Sequence, residues 1–158
     1  MKNQQQISLN QGRVVLYVRT NQIGNVSNEK GIKEQLDKLH TFCIDEGKTV
    51  VATYVDKGFS GKNTDNRPSL IRLLEEAKES GFDEVLTMDL TRISRDMNGL
   101  LMVMDLLENR NVALKTLNDR FDSKTALGKC MIQMLAVFQR FELDSTFEAK
   151  ELERASSC

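Results

Sequence analysis

The chain has little of what most quickly assigns a function. Its 158 residues hold one histidine, His40, and three cysteines, Cys43, Cys130 and Cys158. The cysteines are far apart, with no CxxC spacing and no histidine beside them. Reduced thiols are expected, with Cys43 and Cys130 in helical core. A single histidine on a helical stretch also argues against a zinc site or a Ser/His/Asp hydrolase, and His40 is expected as a partly exposed helix residue. No apolar run approaches the length of a membrane span, and the first residues, MKNQQQISLNQG, hold no apolar signal core. A cytoplasmic protein without membrane contact follows as the expectation. No GxGxxG follows a strand-like run, nor GxxxxGK with Ser or Thr after it, which removes the usual nucleotide-phosphate loops. Basic excess is missing too, since the formal net charge is −1. A protein that grips nucleic acid unaided carries a basic face. Any hold on DNA must therefore come from a local cluster, a partner or a further module.

What is present is a regular alternation of strand-like and helix-like runs. Residues 1–12 are polar and Gln/Asn-rich, a lead-in expected to be disordered. RVVLYVR over 13–19 is β-branched and aromatic, as a buried strand requires. Asn28 is placed to cap a helix running to about Glu46, with Ile32, Leu36, Leu39 and Cys43 at helical spacing and Gly47 ending it. TVVATYV over 49–55 is a second strand. A polar loop over 56–67 follows, long enough to be functional or mobile. Pro68, the only proline, suits the first turn of a helix with Leu70, Leu73, Leu74 and Ala77 inward, stopping near Gly81. EVLTM over 84–88 is a third strand, 89–96 a loop or short turn, and 97–109 a helix with Leu100, Met104 and Leu107 on one face. VALKT over 112–116 is a fourth strand. A long last helix starts near Ala126.

This order predicts an α/β fold: a doubly wound, mainly parallel sheet of four to five strands flanked by helices, with a long C-terminal helix. Residues 13–125 form the α/β body and 126–158 the long helix for subunit contacts. Met131, Met134, Phe138 and Phe141 are expected at that interface, where Met and Phe are favoured.

Ligand crevices in such sheets lie beyond the carboxyl ends of the strands. Arg19 ends strand one, Arg67 follows strand two, and Arg92 and Arg95 follow strand three. The topology gathers these four arginines, and planar guanidiniums fork onto phosphate oxygens. Arg72, Arg110, Arg120 and Arg154 have no such placement and are expected as solvated residues or members of weak ion pairs.

Together these segments resemble the catalytic domain of the serine recombinase family, the resolvases, invertases and large serine integrases, and most of all the integrase branch. The matching pieces are Tyr17-Val18-Arg19, Gln35 within IKEQLDKL, DKGFSG over 56–61 followed by Arg67-Pro68, Thr91-Arg92-Ile93-Ser94-Arg95, Gly128 within SKTALGK, and Phe141-Glu142. The resemblance runs from about residue 13 to 150. It implies a DNA-cutting and rejoining domain in which a serine two residues after the first arginine attacks a DNA phosphate, forming a 5′-phosphoserine link and freeing a 3′-hydroxyl. Arginines at the positions of Arg19, Arg67, Arg92 and Arg95 then stabilise the developing charge without metal or cofactor. It also implies supporting roles for Tyr17, Gln35, Asp56 and Ser60. The implied partners are double-stranded DNA and a homodimer or tetramer assembled through the last helix.

The sequence departs from that pattern. The nucleophile position is Asn21, and an amide cannot form a phosphoester. The position before Arg92, commonly Asp in the family, is Thr91, and Leu143 stands where Arg is frequent. No DNA-binding module follows the long helix before Cys158. Ser27 lies in the same loop as Asn21, whereas Thr20 should point the other way on an extended chain. Ser94 is read as a turn residue. The expectation is a recombinase domain inactive as written. The alternative is a non-catalytic relative that binds or modulates other recombinase subunits.

Overall fold

The computed structural model describes residues 12–20, 25–58, 67–79 and 81–157, without the side chains of 25–28. Strand β1 (Arg13–Thr20) runs through the centre, and Val14 to Val18 are fully buried. A strand covered on both faces has no need to alternate, so RVVLYVR reads as a continuous apolar run. Its neighbours are β2 (Thr49–Lys57) on one side and β3 (Glu84–Thr87) on the other, with β4 (Ala113–Thr116) beyond β3. The four strands are all parallel in the order β2-β1-β3-β4.

Helices cover both faces. Helix α1 (Asn25–Asp45) packs Ile32, Leu39 and Cys43 against Val14, Leu16, Val18 and Leu86. The opposite face carries α2 (Pro68–Glu76), α4 (Met97–Glu108) and the start of α5 (Ala126–Ser156) over Val15, Tyr17, Tyr54 and Val85. A one-turn helix α3 (Leu90–Ile93) links β3 to α4. Fully burying each Leu or Val on these faces contributes about 1.5–3 kcal/mol. The result is the doubly wound, mainly parallel sheet of four strands with a long last helix.

Helix ends follow local chemistry. Gly47 stands at φ 64° after α1, where Lys48 N–H reaches the Cys43 carbonyl at 2.8 Å and Gly47 N–H the Ile44 carbonyl at 3.1 Å. That is the Schellman close a glycine makes without strain. Pro68 occupies the first turn of α2. Asp96 caps α4 through Gly99 N–H at 2.8 Å, and Thr125 caps α5 through Gly128 N–H at 2.9 Å.

Several expectations need correction. Helix α1 begins at Asn25 rather than being capped by Asn28. Strand β2 continues to Lys57 because pairing with β1 persists to Thr20↔Lys57; Asp56 therefore sits on the strand, not in the loop after it. The segment after β3 holds α3. Cys43 is buried, but Cys130 is exposed. Helix α5 turns Met131, Ile132 and Leu135 toward the core, and Cys130 lies off that stripe. His40 is exposed on α1. Arg72 is exposed, as expected, in a surface ion pair with Glu76 at 3.3 Å, and it lies over the Tyr54 ring at 5.0 Å. Asn21, Ser60, Cys158 and the lead-in over 1–11 lie outside the described residues. No described helix is long and apolar enough to cross a membrane.

Candidate phosphate site

The site begins where the sheet forks. Strand β1 pairs with β2 as far as Thr20, but with β3 only as far as Leu16↔Leu86. Beyond Leu16 the carboxyl ends of β1 and β3 separate, and the β1 backbone there needs other partners. Strand alternation sends Tyr17 and Arg19 to the α2 side and Thr20 to the α1 side. Thr20 is buried, with its hydroxyl unpartnered among the described residues.

Arg19 and Arg92 close the fork reciprocally. Arg19 Nε donates to the Arg92 carbonyl at 3.0 Å and Arg19 Nη2 to the Thr91 carbonyl at 2.7 Å. Arg92 Nη1 donates back to the Arg19 carbonyl at 3.0 Å. Arg67, fully buried just before Pro68, donates through Nη1 to the same Arg92 carbonyl at 2.7 Å and through Nη2 to the Ile93 carbonyl. The Arg19 and Arg67 guanidiniums thus meet at the carbonyls of 91–93, while the Arg92 guanidinium turns back to the Arg19 carbonyl. Burial lowers the Arg19 pKa to about 10, with the Arg67 charge as the next cause and the Arg92 and Arg95 charges adding to it. Burial also lowers Arg67. Arg95 is exposed, and its charge is felt at Arg19. Desolvated like charges this close favour an anion among them.

The supporting residues hold this cluster from behind. Tyr17 Oη donates to Asp56 Oδ2 at 2.9 Å, and Arg67 Nη1 reaches Tyr17 Oη at 3.4 Å. Asp56, nearly fully buried on β2, also accepts Ser69 N–H at 2.9 Å and Leu70 N–H at 3.1 Å. A carboxylate on the first amides of α2 satisfies orphan donors and meets the positive end of the helix. It thereby fixes where Arg67 enters. Burial is the main reason the Tyr17 hydroxyl is pushed well above its ordinary pKa. Gln35 on α1 donates to the Gly31 carbonyl at 3.2 Å and the Arg19 carbonyl at 3.5 Å. Its Oε1 has no hydrogen-bond partner among the described residues, beside a crevice of about 270 Å³ that Arg92, Lys38 and Asn118 also line. Ser94 plays the expected turn role, donating to the Asp96 carbonyl at 2.9 Å. Ser27 falls in the first turn of α1.

Sequence reasoning missed Asp89. Its Oδ2 lies 3.6 Å from Arg92 Nε, and Thr91 Oγ1 donates to its Oδ1. The available signal was the i,i+3 spacing of Asp89 and Arg92, which a one-turn helix brings together. Among the described residues no group of three or more His, Cys, Asp or Glu side chains could hold a metal ion.

Helix α5 divides along its length. Met131 is half-buried against the chain's own core with Ile132 and Leu135. Met134, Phe138 and Phe141 are exposed at 55%, 56% and 68%, and Val137, Phe147 and Leu152 are exposed as well. Apolar exposure on that scale along one helix is more than scattered surface leucines would give.

Comparison with known proteins bears on the family and the fold. The chain is 32% identical over 91% of its length to a Bacillus subtilis (strain 168) protein whose name assigns it provisionally to the DNA recombinases, covering 27% of that protein. It is 30% identical over 59% of its length to a resolvase of Clostridium perfringens, covering 45% of it. The chain therefore spans well under two thirds of these relatives. Among solved structures, the N-terminal catalytic domain of TP901-1 integrase superposes with TM-score 0.75 at 29% identity, covering 84% of this chain and 97% of that one. A model of the resolvase N-terminal domain matches residues 14–155. The chain belongs to the resolvase N-terminal domain family, and its fold is that of a serine recombinase catalytic domain.

Proposed function

We propose that this chain is the strand-exchange core of a site-specific DNA recombinase, with a phosphate site made by Arg19, Arg67, Arg92 and Arg95 and no nucleophile as written. The carrying observation is the convergence of the fully buried Arg19 and Arg67 guanidiniums on the Arg92 carbonyl at the β1/β3 fork, with the Arg92 guanidinium on the Arg19 carbonyl and Arg95 exposed nearby. A DNA phosphate entering there takes over donors now spent on the carbonyls of 91–93, and charge-assisted hydrogen bonds are about twice as strong as neutral ones. Oriented guanidiniums supply transition-state stabilisation in place of a metal. In the family reaction a serine Oγ–P bond forms and the P–O3′ bond breaks. The 3′ oxygen leaves as a hydroxyl, taking up the proton the serine gives up. Asn21 has no hydroxyl to begin that step.

The partners proposed are double-stranded DNA, held weakly by a chain of net charge −1, and further copies joined through the exposed stripe of α5 over 126–158. The cytoplasm is the compartment proposed. A second reading, a non-catalytic subunit that docks on other recombinases, is favoured by the combination of Asn21 with that apolar stripe. The test compares the chain and its Asn21→Ser variant, each fused to a DNA-binding module of known site. Only the serine protein should form a denaturation-resistant protein–DNA adduct. A restored protein that binds its site and never forms one contradicts the phosphate-site reading and leaves the docking-subunit reading standing.

A further inference from the structure

We propose that Asp89 is a positioning residue of this site: its carboxylate orients the Arg92 guanidinium, and through it the end of β1 that leads to position 21. The inference rests on the phosphate-site reading above and adds to it a residue outside the family pattern.

Asp89 stands in the place of a helix cap without acting as one. Its backbone is extended, and its side chain caps none of the α3 amides. The first amide of α3, Leu90 N–H, is taken instead by Asp119 Oδ2 at 2.8 Å. The Asp89 carboxylate is left for the Thr91 hydroxyl, which donates to Oδ1, and for an ion pair with Arg92, whose buried Nε lies 3.6 Å from Oδ2 and makes no hydrogen bond among the described residues. Both members of the ion pair are mostly shielded, with side-chain exposures of 28% for Arg92 and 18% for Asp89. Arg92 benefits from such a counter-charge because its guanidinium stands at the Arg19 carbonyl and its charge is felt at the buried Arg19. On the Arg67 side the balancing carboxylate is Asp56, acting through Tyr17. On the Arg92 side it is Asp89.

The oriented guanidinium then does what a strand would do. Pairing of β1 with β3 ends at Leu16, and beyond it Arg92 Nη1 donates to the Arg19 carbonyl at 3.0 Å, beside Gln35 Nε2 at 3.5 Å. Position 21 is two residues further along. Release of this contact leaves the strand end held by β2 and Gln35 alone, and misplacing an attacking group by about an ångström costs on the order of 100-fold in rate. Thr91, standing where a carboxylate is common in the family, serves here as the tether of a carboxylate displaced two residues upstream.

The experiment has two arms. In Asn21→Ser protein fused to a DNA-binding module, Asp89→Asn should slow adduct formation at saturating DNA by ~10–100-fold with DNA affinity unchanged. Adding Thr91→Asp to Asp89→Asn should restore most of the rate by returning a carboxylate to Arg92. In the chain as it stands, with Asn21, the Arg92 Nε–H NMR signal should lose protection from solvent exchange in Asp89→Asn and regain it in the double variant. A folded Asp89→Asn protein with unchanged Arg92 exchange overturns the proposal, as does an unchanged rate in the serine background or a loss that Thr91→Asp does not recover. Arg92 exchange behaving as expected while the Asn21→Ser protein forms no adduct sinks the phosphate-site reading and leaves the Asp89 role in place.

Discussion

Gly128→Ala sets two effects of opposite sign against each other. In an ordinary helix interior this exchange stabilises by about 0.5–1 kcal/mol, because glycine loses more backbone freedom on folding. At position 128 a Cβ would stand 1.8 Å from the Asp122 carbonyl oxygen and 2.7 Å from its carbon. These are backbone atoms, and no side-chain rotation relieves the overlap. The same carbonyl accepts the Thr125 amide at 3.2 Å and the Thr125 hydroxyl at 2.9 Å, while Thr125 caps α5 through Gly128 N–H. Relief therefore parts the 122–125 turn from the first turn of α5 and loosens the cap. Overpacking of this kind costs about 1–3 kcal/mol, and a lost Thr cap about 1 kcal/mol. After subtracting the propensity gain, a net loss of about 1–3.5 kcal/mol is expected, a fall in Tm of about 2–14 °C for a domain of this size. Reversible thermal and urea unfolding followed by circular dichroism measure it, with Thr125→Ala separating the cap. A Gly128→Ala protein as stable as its parent would show that helix propensity prevails and that α5 is not seated by this close approach.

The remaining predictions are shorter. The chain has two tyrosines and no tryptophan, so tyrosinate absorbance reads Tyr17 and Tyr54 cleanly. Burial pushes both up, Tyr54 to about 12 with the Glu76 hydrogen bond as the next cause. Raised folded-state values mean that their stabilising contribution is complete below pH 10 and lost as pH rises through the folded values. Arg19, lowered to about 10 by burial, works against that slope as it loses its costly buried charge. The folded protein should show no tyrosine ionising at the ordinary value of 10.0, and a step there would contradict the burial of both rings. Asp56→Ala removes the acceptor of Tyr17 Oη and of two α2 amides, and should lower the unfolding free energy by about 2–4 kcal/mol in urea titrations. Phe138→Glu with Phe141→Glu should reduce self-association in sedimentation without lowering Tm, since both rings are exposed in the single chain.

Much of this architecture was legible because strands and helices here obey their periods. RVVLYVR, Pro68 at the start of α2 and the 3.6-residue stripe of α4 each point to one local structure, and the alternation of elements fixes the sheet. The arginines were legible as a group for the same reason, since topology alone carries strand ends to one edge. What stayed hidden depends on tertiary placement. The length of β2 was misjudged because Asp56 and Lys57 look like loop residues, whereas pairing with β1 and the α2 amides hold them on the strand. A phosphate clamp has its guanidiniums facing a phosphate, yet here those of Arg19 and Arg67 satisfy the carbonyls of 91–93 and that of Arg92 the Arg19 carbonyl, partners that every residue carries and no motif marks. Asp89 escaped notice because its partner is set by a one-turn helix too short to show a period. Cys130 was placed in the core from its residue type, but the orientation of a long, one-sided helix is decided by Met131, Ile132 and Leu135.

The measurement that bears most directly on the role of position 21 is the identity of the residue that carries DNA. Adducts trapped with Asn21→Ser protein can be digested and the nucleotide-linked peptide mapped by mass spectrometry, beside the same digest of the Asn21 protein. The expected result is DNA attached at position 21 in the serine protein and no linked peptide in the other. DNA attached to Ser27 or Thr20, above all in the protein that keeps Asn21, would contradict it.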